Sequence, residues 1–221
     1  MITLAIDAST YVGDVALVDH GRVVAELSVE MKDPKVERLM PAVASVFALS
    51  GHSARDVERV VCGAGPGSFT SLRIAGGIAK GLCAGLSVPL YAVSSLALMV
   101  AAPSLSVGRY VAALDALRGE FYVGLYHVSA TGDVLELETP AVLPAEQLPE
   151  FARAAGARIV SPTPFEDGVL AHPKASGVQR LEHVLASTGP VNLASWEPTY
   201  GRLAEAQVKW ESVHGRRLPV G

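Results

Sequence analysis

The sequence contains very few cysteines. Only two of its 221 residues are cysteines, and both Cys62 and Cys83 lie in apolar runs. A disulfide framework is therefore excluded as the basis of the fold, and we interpret both thiols as small buried side chains in a reducing compartment. Neither has a histidine within its local motif, which disfavours a catalytic thiol.

Basic residues are also scarce. The chain has 18 Lys and Arg against 22 Asp and Glu, which gives a formal net charge of −4. This balance disfavours a free-standing nucleic-acid-binding protein, because such proteins usually carry a basic stripe. Arg202, Lys209, Arg216 and Arg217 leave open a nucleic-acid contact that is shared with other subunits of an assembly.

Long uninterrupted apolar segments are missing. The longest apolar stretch, from 74 to 93, contains Lys80 and several glycines and is broken by Pro89. It is therefore a poor candidate for a membrane span. The first residues carry no basic leader followed by a cleavage site. We expect a cytoplasmic protein.

Familiar catalytic patterns are missing as well. The six histidines are scattered, and no two have the one-turn spacing of paired zinc ligands on a helix. The chain has no Gly-x-Ser-x-Gly elbow, and its second half lacks a glycine-rich adenosine turn. We therefore predict no catalytic residue and no metal site in this chain.

Hydrophobic periodicity predicts the order three strands, helix, strand, helix, and predicts it twice. This order indicates an α/β protein of two lobes, 1–103 and 104–221, each a mixed sheet flanked by helices. Two such lobes are the plan of the actin-like and sugar-kinase-like (ribonuclease H-like) proteins. The predicted elements are strands 2–6, 12–18 and 22–29, helix 36–47, strand 58–62, helix 70–86, strand 89–93, helix 96–101, strands 110–114, 121–128 and 134–143, helix 144–155, strand 158–160 and helix 178–185.

Two details of the first helix and of the strand ends qualify this prediction. Asp33 is a possible N-cap of helix 36–47, with Pro34 at its first position, but Pro41 requires that this helix either starts late or kinks.

Asp7 and Asp115 close the first strand of each half. In proteins of this plan such aspartates point into the cleft between the lobes, whereas the alternative is a turn former at a strand end. The sequence leaves both possibilities open.

A glycine-rich loop joins strand 58–62 to the next helix. Such a place can hold an anion with free backbone N–H groups and the helix dipole. No lysine precedes its Ser and Thr, so it is not a Walker A loop. We favour the alternative, a tight turn that packs Phe69 inward, with Ser68 or Thr70 as the helix cap. The loop consists of Gly65, Pro66, Gly67, Ser68, Phe69 and Thr70.

The helix after this loop is rich in glycine. Gly77, Gly81 and Gly85 recur every four residues along one face, with Gly76 beside them. Glycine inside a helix costs about 1 kcal/mol relative to alanine, so this face needs a close approach by something. The approaching element is either part of the same chain, such as helix 36–47, or a helix of another subunit.

Five segments, in the same order over nearly the whole chain, resemble the motifs of the TsaB (YeaZ) family. The sequence departs from the family pattern at Lys35, at Ala8 and at Ser71, where the family usually has His, Thr and Gly. The matching segments are 5–10, 37–41, 65–74, 115–122 and 198–202. We call Gly65–Thr70 the signature loop.

The resemblance implies an actin-like fold and a role in tRNA modification. TsaB proteins are paralogues of TsaD, which holds the metal and performs the transfer. With the ATPase TsaE, the two install threonylcarbamoyl on adenosine 37 of tRNAs that read codons beginning with A. TsaB itself acts as a scaffold that binds TsaD, or a second copy of itself, through helices of its first lobe. The resemblance therefore implies that ATP and metal are bound by the partner subunits, that this chain alone binds no cofactor, and that it meets tRNA only through the complex.

On this basis we predict a partner interface on the two first-lobe helices. Helical spacing places its members on one face of each helix. The alternative is an enzyme of the same fold, either a small-molecule kinase or a metallopeptidase-like protein, which would need a complete ATP site or a metal pair. The predicted interface residues are Val36, Leu39, Met40 and Val43 on the first helix and Arg73, Ile74, Gly77 and Gly81 on the second.

Overall fold

The computed structural model describes residues 1–31, 37–102, 104–200 and 213. The first half of the chain forms a five-stranded mixed sheet with helices on both faces. A short 3-10 helix, Ala54–Asp56, precedes its fourth strand. The elements of this half are β1 (Ile2–Asp7), β2 (Val12–Asp19), β3 (Arg22–Glu30), α1 (Leu39–Ser50), β4 (Arg59–Gly63), α2 (Phe69–Leu86), β5 (Leu90–Val93) and α3 (Ser95–Val100).

The second half forms another five-stranded sheet. Its second strand along the chain carries aromatic and aliphatic residues that are buried on both faces, which is typical of a central strand. A 3-10 helix, Ala175–Arg180, follows the last strand. The elements are β6 (Gly108–Asp115), β7 (Glu120–Val128), β8 (Val134–Pro144), α4 (Leu148–Ala154), β9 (Arg158–Ser161), β10 (Val169–Leu170) and α5 (Glu182–Thr188).

The two sheets have the same topology. The strand orders are β3-β2-β1-β4-β5 and β8-β7-β6-β9-β10. In each sheet the first three strands are antiparallel and the last two run parallel to the first. The predicted repetition and the two-lobed actin-like fold are therefore confirmed. The two-residue strand β10 was not predicted, because so short a strand has no periodicity to detect.

The first helix differs from its prediction. Helix α1 begins at Leu39 rather than at 36, and the carboxylate of Glu37 accepts hydrogen bonds from the backbone N–H groups of Leu39 and Met40. Pro41 therefore lies in the first turn, where a backbone N–H would have no helical partner, and it costs the helix nothing. The late start was one of the two predicted outcomes. The proposed cap Asp33, with Pro34, lies outside the described residues.

The predicted helix 178–185 is wrong in its first part. The chain there forms the 3-10 helix Ala175–Arg180, and only then does α5 begin. Ala175, Val178 and Leu181 are all fully buried. A spacing of three residues puts apolar side chains on one side of a 3-10 helix, so burial selects that form here.

Within the described residues, three apolar clusters form the core. One lies between the first sheet and helices α1 and α2, and another between the second sheet and α4. The largest lies between the two sheets and contains α3 together with the 3-10 helix Ala175–Arg180. The lobes therefore share apolar packing. In the described ranges, no helix is long and apolar enough to cross a membrane.

Residues 191–199 lie against the first lobe, although the predicted boundary at 103/104 assigned them to the second. The N–H of Val191 donates to the carbonyl of Leu90 at 2.8 Å, and that of Thr199 to Ala64 at 2.7 Å. Lys80 Nζ on α2 donates to the carbonyl of Trp196 at 2.9 Å. Residues 191–199 thus cover the β5 edge of the first sheet and one flank of α2.

Candidate functional site: the signature loop and the exposed face of helix α2

The signature loop connects the carboxyl end of β4 to the first turn of α2, and other loops of the first lobe hold it in place. The N–H of Ser68 donates to the carbonyl of Ser9 at 2.7 Å. The Gly65 carbonyl accepts from the N–H of Ser95 at 2.9 Å, and the Gly65 N–H donates to the Ser95 hydroxyl at 3.1 Å. The loop is thereby fixed to the β1–β2 turn and to the start of α3.

The chain itself explains why the loop contains glycine. A Cβ atom at Gly67 would lie 2.1 Å from the carbonyl oxygen of Ser9, and one at Gly65 would lie 2.3 Å from that of Thr199. Gly65 also has a φ of +90°, which favours glycine. Both glycines are needed for close packing of backbone on backbone. This geometry agrees with the tight-turn interpretation of the loop.

The start of α2 differs in detail from the predicted cap. Ser68 occupies the N-cap position, but its hydroxyl donates to the hydroxyl of Ser71 at 3.1 Å, and its side chain makes no capping bond within the described ranges. Thr70 is an exposed helical residue. Ser71 has helical backbone, so this departure from the family pattern imposes no strain.

Phe69 packs against a neighbouring ring rather than deep into the core. Its ring centroid lies 4.5 Å from that of Tyr200, and the Arg73 guanidinium lies 5.4 Å from the Phe69 centroid. The hydroxyl of Tyr122 on β7 donates to the Tyr200 carbonyl at 3.4 Å. The stack therefore joins the first turn of α2 to the second lobe. The match to the closing family motif, 198–202, was the only sign in the sequence that this segment belongs to the site.

Asp7 lies at the centre of these contacts and is 1% exposed. Its carboxylate accepts hydrogen bonds from the N–H and hydroxyl of Ser9, at 2.9 and 2.8 Å, and from the Ser95 hydroxyl at 2.5 Å. Burial raises the pKa of Asp7, and these hydrogen bonds offset part of the rise. A Cβ at Gly63 would lie 1.9 Å from its Oδ2 atom. Asp7 is thus a buried acceptor that joins β1, β4 and α3.

Asp115 has a different environment. It is exposed, and its Oδ1 atom accepts the N–H of Leu117 at 2.7 Å. Leu117, Arg118 and Gly119 follow with positive φ angles of 64°, 60° and 76°. The sequence left open whether Asp115 is a cleft carboxylate or a turn former. In the structure it is a turn former, because its carboxylate stabilises the turn between β6 and β7.

The surroundings of the two thiols disfavour a reactive role for either. Burial raises the pKa of Cys62 far above its usual range and that of Cys83 to about 11, so both are protonated near neutral pH. Both side chains are buried, as predicted. Among the residues that the structure describes, no three His, Cys, Asp or Glu side chains are grouped so that they could hold a metal ion.

Comparisons with known proteins agree with this fold. A family model described as "TsaD: tRNA N6-adenosine threonylcarbamoyltransferase" matches residues 30–161. The tRNA threonylcarbamoyladenosine biosynthesis protein TsaB of Bacillus subtilis is 31% identical over 95% of this chain and 98% of that protein. The chain belongs to the TsaB family. It lies within the wider TsaD-like group that the family model describes.

Further relatives support the assignment to the TsaB family. TsaB of Escherichia coli is 38% identical over 66% of this chain and 64% of that protein. The structure of YeaZ from Pseudomonas aeruginosa superposes with a TM-score of 0.74 at 27% identity and covers 90% of this chain and 99% of that one. Another structure, of a protein with similarity to peptidase YEAZ from Pseudomonas aeruginosa, gives 0.76 at 29% identity, with 91% and 99% covered.

The structure separates the predicted interface of this TsaB-family chain into two groups. Met40 is 42% exposed, Arg73, Gly77 and Gly81 are exposed, and Ile74 is half-buried. Leu39 and Val43 are instead buried in the core between α1 and the first sheet. We therefore correct the prediction for these two residues: they face their own sheet and present no surface. Val36 and Lys35 lie outside the described residues.

The glycines of α2 also have two different environments. A Cβ at Gly76 would lie 3.2 Å from Pro198 and 3.5 Å from Trp196, so its neighbours within the chain account for this glycine. A Cβ at Gly77, Gly81 or Gly85 would meet no described atom within 4 Å. We define the exposed face of α2 as Arg73, Gly77, Gly81 and Gly85. At its three glycines, no residue that the structure describes covers the helix backbone.

Proposed function

We propose that this TsaB-family chain takes part in threonylcarbamoyladenosine biosynthesis in tRNA, as a non-catalytic scaffold subunit whose exposed face of α2 docks on TsaD. Its relatives carry that pathway in their names, and the family model that it matches is that of TsaD itself. The observation that carries the docking surface is the set of three open glycines on α2.

Packing within the described part of the chain does not account for these glycines. Each lowers helix stability by about 1 kcal/mol relative to alanine. The described residues nearest to Gly77 and Gly81 leave room for a side chain at both positions. A helix of a second protein could approach this bare backbone closely, as small residues allow at tightly packed helix pairs. Docking of a partner helix accounts for glycine at positions where the chain's own described packing accepts larger residues.

The edges of this face fit a specific contact. Arg73 supplies a cation, and its guanidinium is held over the ring of Phe69. Met40 at the start of α1 supplies an exposed apolar side chain, and methionine adapts readily to a partner surface. A polar rim around a close-packed centre is the usual anatomy of a protein interface.

The remaining roles belong to the partners in this proposal. TsaD holds the metal and carries out the transfer, and TsaE supplies the ATPase. This chain alone binds neither ATP nor metal, and tRNA reaches it through the complex. A second copy of the chain competes for the same face of α2, so a homodimer and the TsaD heterodimer exclude one another. Arg202, Lys209, Arg216 and Arg217, the candidate tRNA contacts, lie outside the described residues.

The combined variant Gly77→Leu, Gly81→Leu tests the docking surface. We expect its affinity for TsaD, measured by titration calorimetry, to fall by at least about tenfold, because two leucines in a close-packed helix contact cost more than about 1.4 kcal/mol. The same substitutions replace exposed helical glycines, so the isolated variant is expected to unfold at a higher temperature. An unfolding temperature at or above that of the wild type then shows that a loss of binding does not result from a loss of folding.

Ala154→Leu provides the matched control. Ala154 is an exposed helical residue of α4 in the second lobe, and leucine there is expected to leave TsaD affinity unchanged. Undiminished TsaD binding by the double glycine variant would contradict the proposed surface. The alternative, an enzyme of the same fold, has its own test: tight binding of ATP–Mg²⁺ or zinc by the isolated chain, together with turnover, would overturn the scaffold proposal.

A further inference from the structure

Residues 174–181, which we call the inter-lobe segment, lie between the two lobes. The segment contains the 3-10 helix Ala175–Arg180 and packs against β2 and β3 of the first sheet and against α3. A Cβ at Gly177 would lie 2.8 Å from the Cβ of Ala101 and 3.0 Å from the carbonyl of Leu98, so the segment and α3 are in backbone contact. Its buried apolar residues belong to the core that the two sheets share.

Asp14 on β2 fastens the beginning of the segment. Its side chain is 1% exposed and accepts the N–H of Ala175 at 2.8 Å, the ammonium of Lys174 at 2.8 Å and the hydroxyl of Ser28 at 2.6 Å. Ser176 adds a hydrogen bond from its hydroxyl to Glu26 Oε1 at 2.7 Å. The bonds from Lys174, Ala175 and Ser176 cross from the second half of the chain to the first sheet.

Arg180 fastens the end of the segment. Its guanidinium donates to the carbonyl of Ala102 at 2.9 Å and to that of Leu105 at 3.3 Å. Its Nε atom donates to the carbonyl of Gly132 in the turn between β7 and β8. The segment is thus bound to the first sheet at one end. At the other end, Arg180 binds it to the chain that follows α3 and to the turn between β7 and β8.

We propose that the inter-lobe segment is a detachable lock, which fixes the arrangement of the two lobes while Asp14 holds it and releases that arrangement when its Asp14 end detaches. The Asp14 end of the segment is held by one buried carboxylate and one lysine, together with the hydrogen bond from Ser176 to Glu26. Asp14 also accepts the hydroxyl of Ser28 within the first sheet, but the backbone pairing of β2 with β3 extends well beyond that bond. Detachment therefore changes the relation between the lobes and leaves each sheet folded.

The charges around Asp14 determine whether acid or base favours the closed state of the lock. Burial raises the pKa of Asp14 to about 6, bonds from Lys174 and Ser28 oppose the rise, and nearby Glu26 adds to it. Asp7 occupies the paired position on β1, and His172 precedes Lys174 by two residues. α3 brings no charged side chain to this face. In the detached state Asp14 is solvated, and its pKa returns towards 3.8.

The closed lock consequently holds a proton more tightly than the detached one. Acid favours the closed state, and raising the pH from about 3.8 through about 6 favours detachment. Between pH 5 and pH 8 these two pKa values correspond to an increase of about tenfold in the equilibrium constant for detachment.

Hydrogen exchange of the full chain, corrected for the intrinsic effect of pH, tests this. In the wild type, exchange in peptides spanning 172–181 is expected to rise about tenfold from pH 5 to pH 8. Lys174→Met removes the charge that compensates the buried carboxylate, and at pH 8 it is expected to speed this exchange by at least about tenfold more. Asp14→Asn is expected to abolish the dependence on pH.

Three readouts decide between a lock and simple packing. Lys80→Met is the control for Lys174→Met. Lys80 is half-buried, as Lys174 is, but its ammonium donates to a backbone carbonyl of the first lobe and makes no bond to Asp14. It should leave exchange in 172–181 unchanged. The proposal is overturned if Lys174→Met leaves this exchange at the wild-type rate at pH 8, if the pH dependence survives in Asp14→Asn, or if β7 peptides lose protection together with 172–181.

Spin labels report the arrangement of the lobes directly. Val24 on β3 and Leu137 on β8 are 39% and 45% exposed, one in each sheet, and both native cysteines are buried. With labels attached at Val24→Cys and Leu137→Cys, the distance distribution is expected to be narrow in the otherwise native chain at pH 5 and to widen when Lys174→Met is added at pH 8. Equal widths in both samples would overturn the proposal.

Discussion

The substitution Gly67→Ala is expected to lower the free energy of unfolding by about 3 kcal/mol, which is large for the addition of one methyl group. The new Cβ would lie 2.1 Å from the carbonyl oxygen of Ser9. That oxygen already accepts the N–H of Ser68 at 2.7 Å, so both sides of the contact are backbone. No change of rotamer can relieve the clash, and the signature loop must separate from the β1–β2 turn.

Gly81→Ala is the matched control for this prediction. Gly81 lies in α2, the helix that follows the signature loop, and among the described residues nothing stands within 4 Å of its Cβ position. Alanine there is expected to raise the free energy of unfolding by about 0.5 to 1 kcal/mol. Urea denaturation of both variants measures the difference. A Gly67→Ala protein within about 0.5 kcal/mol of the wild type would contradict the assignment of this glycine to internal packing.

The topology could be predicted because it depends on local periodicity that repeats. Alternating and helical patterns gave the order of the elements in both halves, and β10 was the one strand left out. The exact starts depend on details that a pattern does not contain. Glu37 supplies the hydrogen bonds that start α1, although Val36 continues the helical pattern upstream. Period three and period 3.6 are hard to distinguish over so few residues. The pattern therefore predicts one helix over 178–185, although residues 178–180 belong to the 3-10 helix Ala175–Arg180.

The site could be predicted in part, for a different physical reason. Leu39, Met40 and Val43 are apolar, and helical spacing groups them on one side of the predicted helix. The spacing does not show whether that side packs against a sheet of the same chain or against a partner protein. In the structure Leu39 and Val43 meet the sheet, and Met40 does not. Gly76 and Gly77 are adjacent in the sequence, yet only Gly76 has a neighbour from the distant segment 196–200. Contacts between segments far apart in the chain decided both cases.

Asp7 was predicted only as a possible cleft carboxylate, and its environment leads to a second large effect. Asp7→Ala is expected to lower the free energy of unfolding by about 3 kcal/mol. The change leaves the N–H and hydroxyl of Ser9 and the hydroxyl of Ser95 without their acceptor in a buried place. It also opens a cavity beside Gly63, where the Asp7 carboxylate now fills the space.

Asp7→Asn separates the shape of this side chain from its charge. The amide keeps an acceptor for Ser9 and fits the same space, so we expect a loss of less than about 1 kcal/mol at pH 5. Burial raises the pKa of Asp7, so the folded protein holds a proton that the unfolded chain has lost above about 3.8. Wild-type stability should therefore fall as the pH rises from 3.8 through the raised pKa, by up to about 1.4 kcal/mol per pH unit in that window.

Asp7→Asn should lack the part of the fall in stability that comes from the Asp7 carboxyl. Asp14, whose pKa burial raises to about 6, contributes a fall of its own below that pH, and this part persists in Asp7→Asn. Denaturation midpoints measured from pH 4 to pH 9 should thus give a shallower curve for Asp7→Asn than for the wild type. Curves of equal slope would show that the pKa of Asp7 is not raised by burial in the folded protein, which would contradict the prediction. Because Asp7 acts here as a buried acceptor, the scaffold proposal also expects Asp7→Asn to bind TsaD as the wild type does, whereas an enzyme that uses this carboxylate would lose its activity.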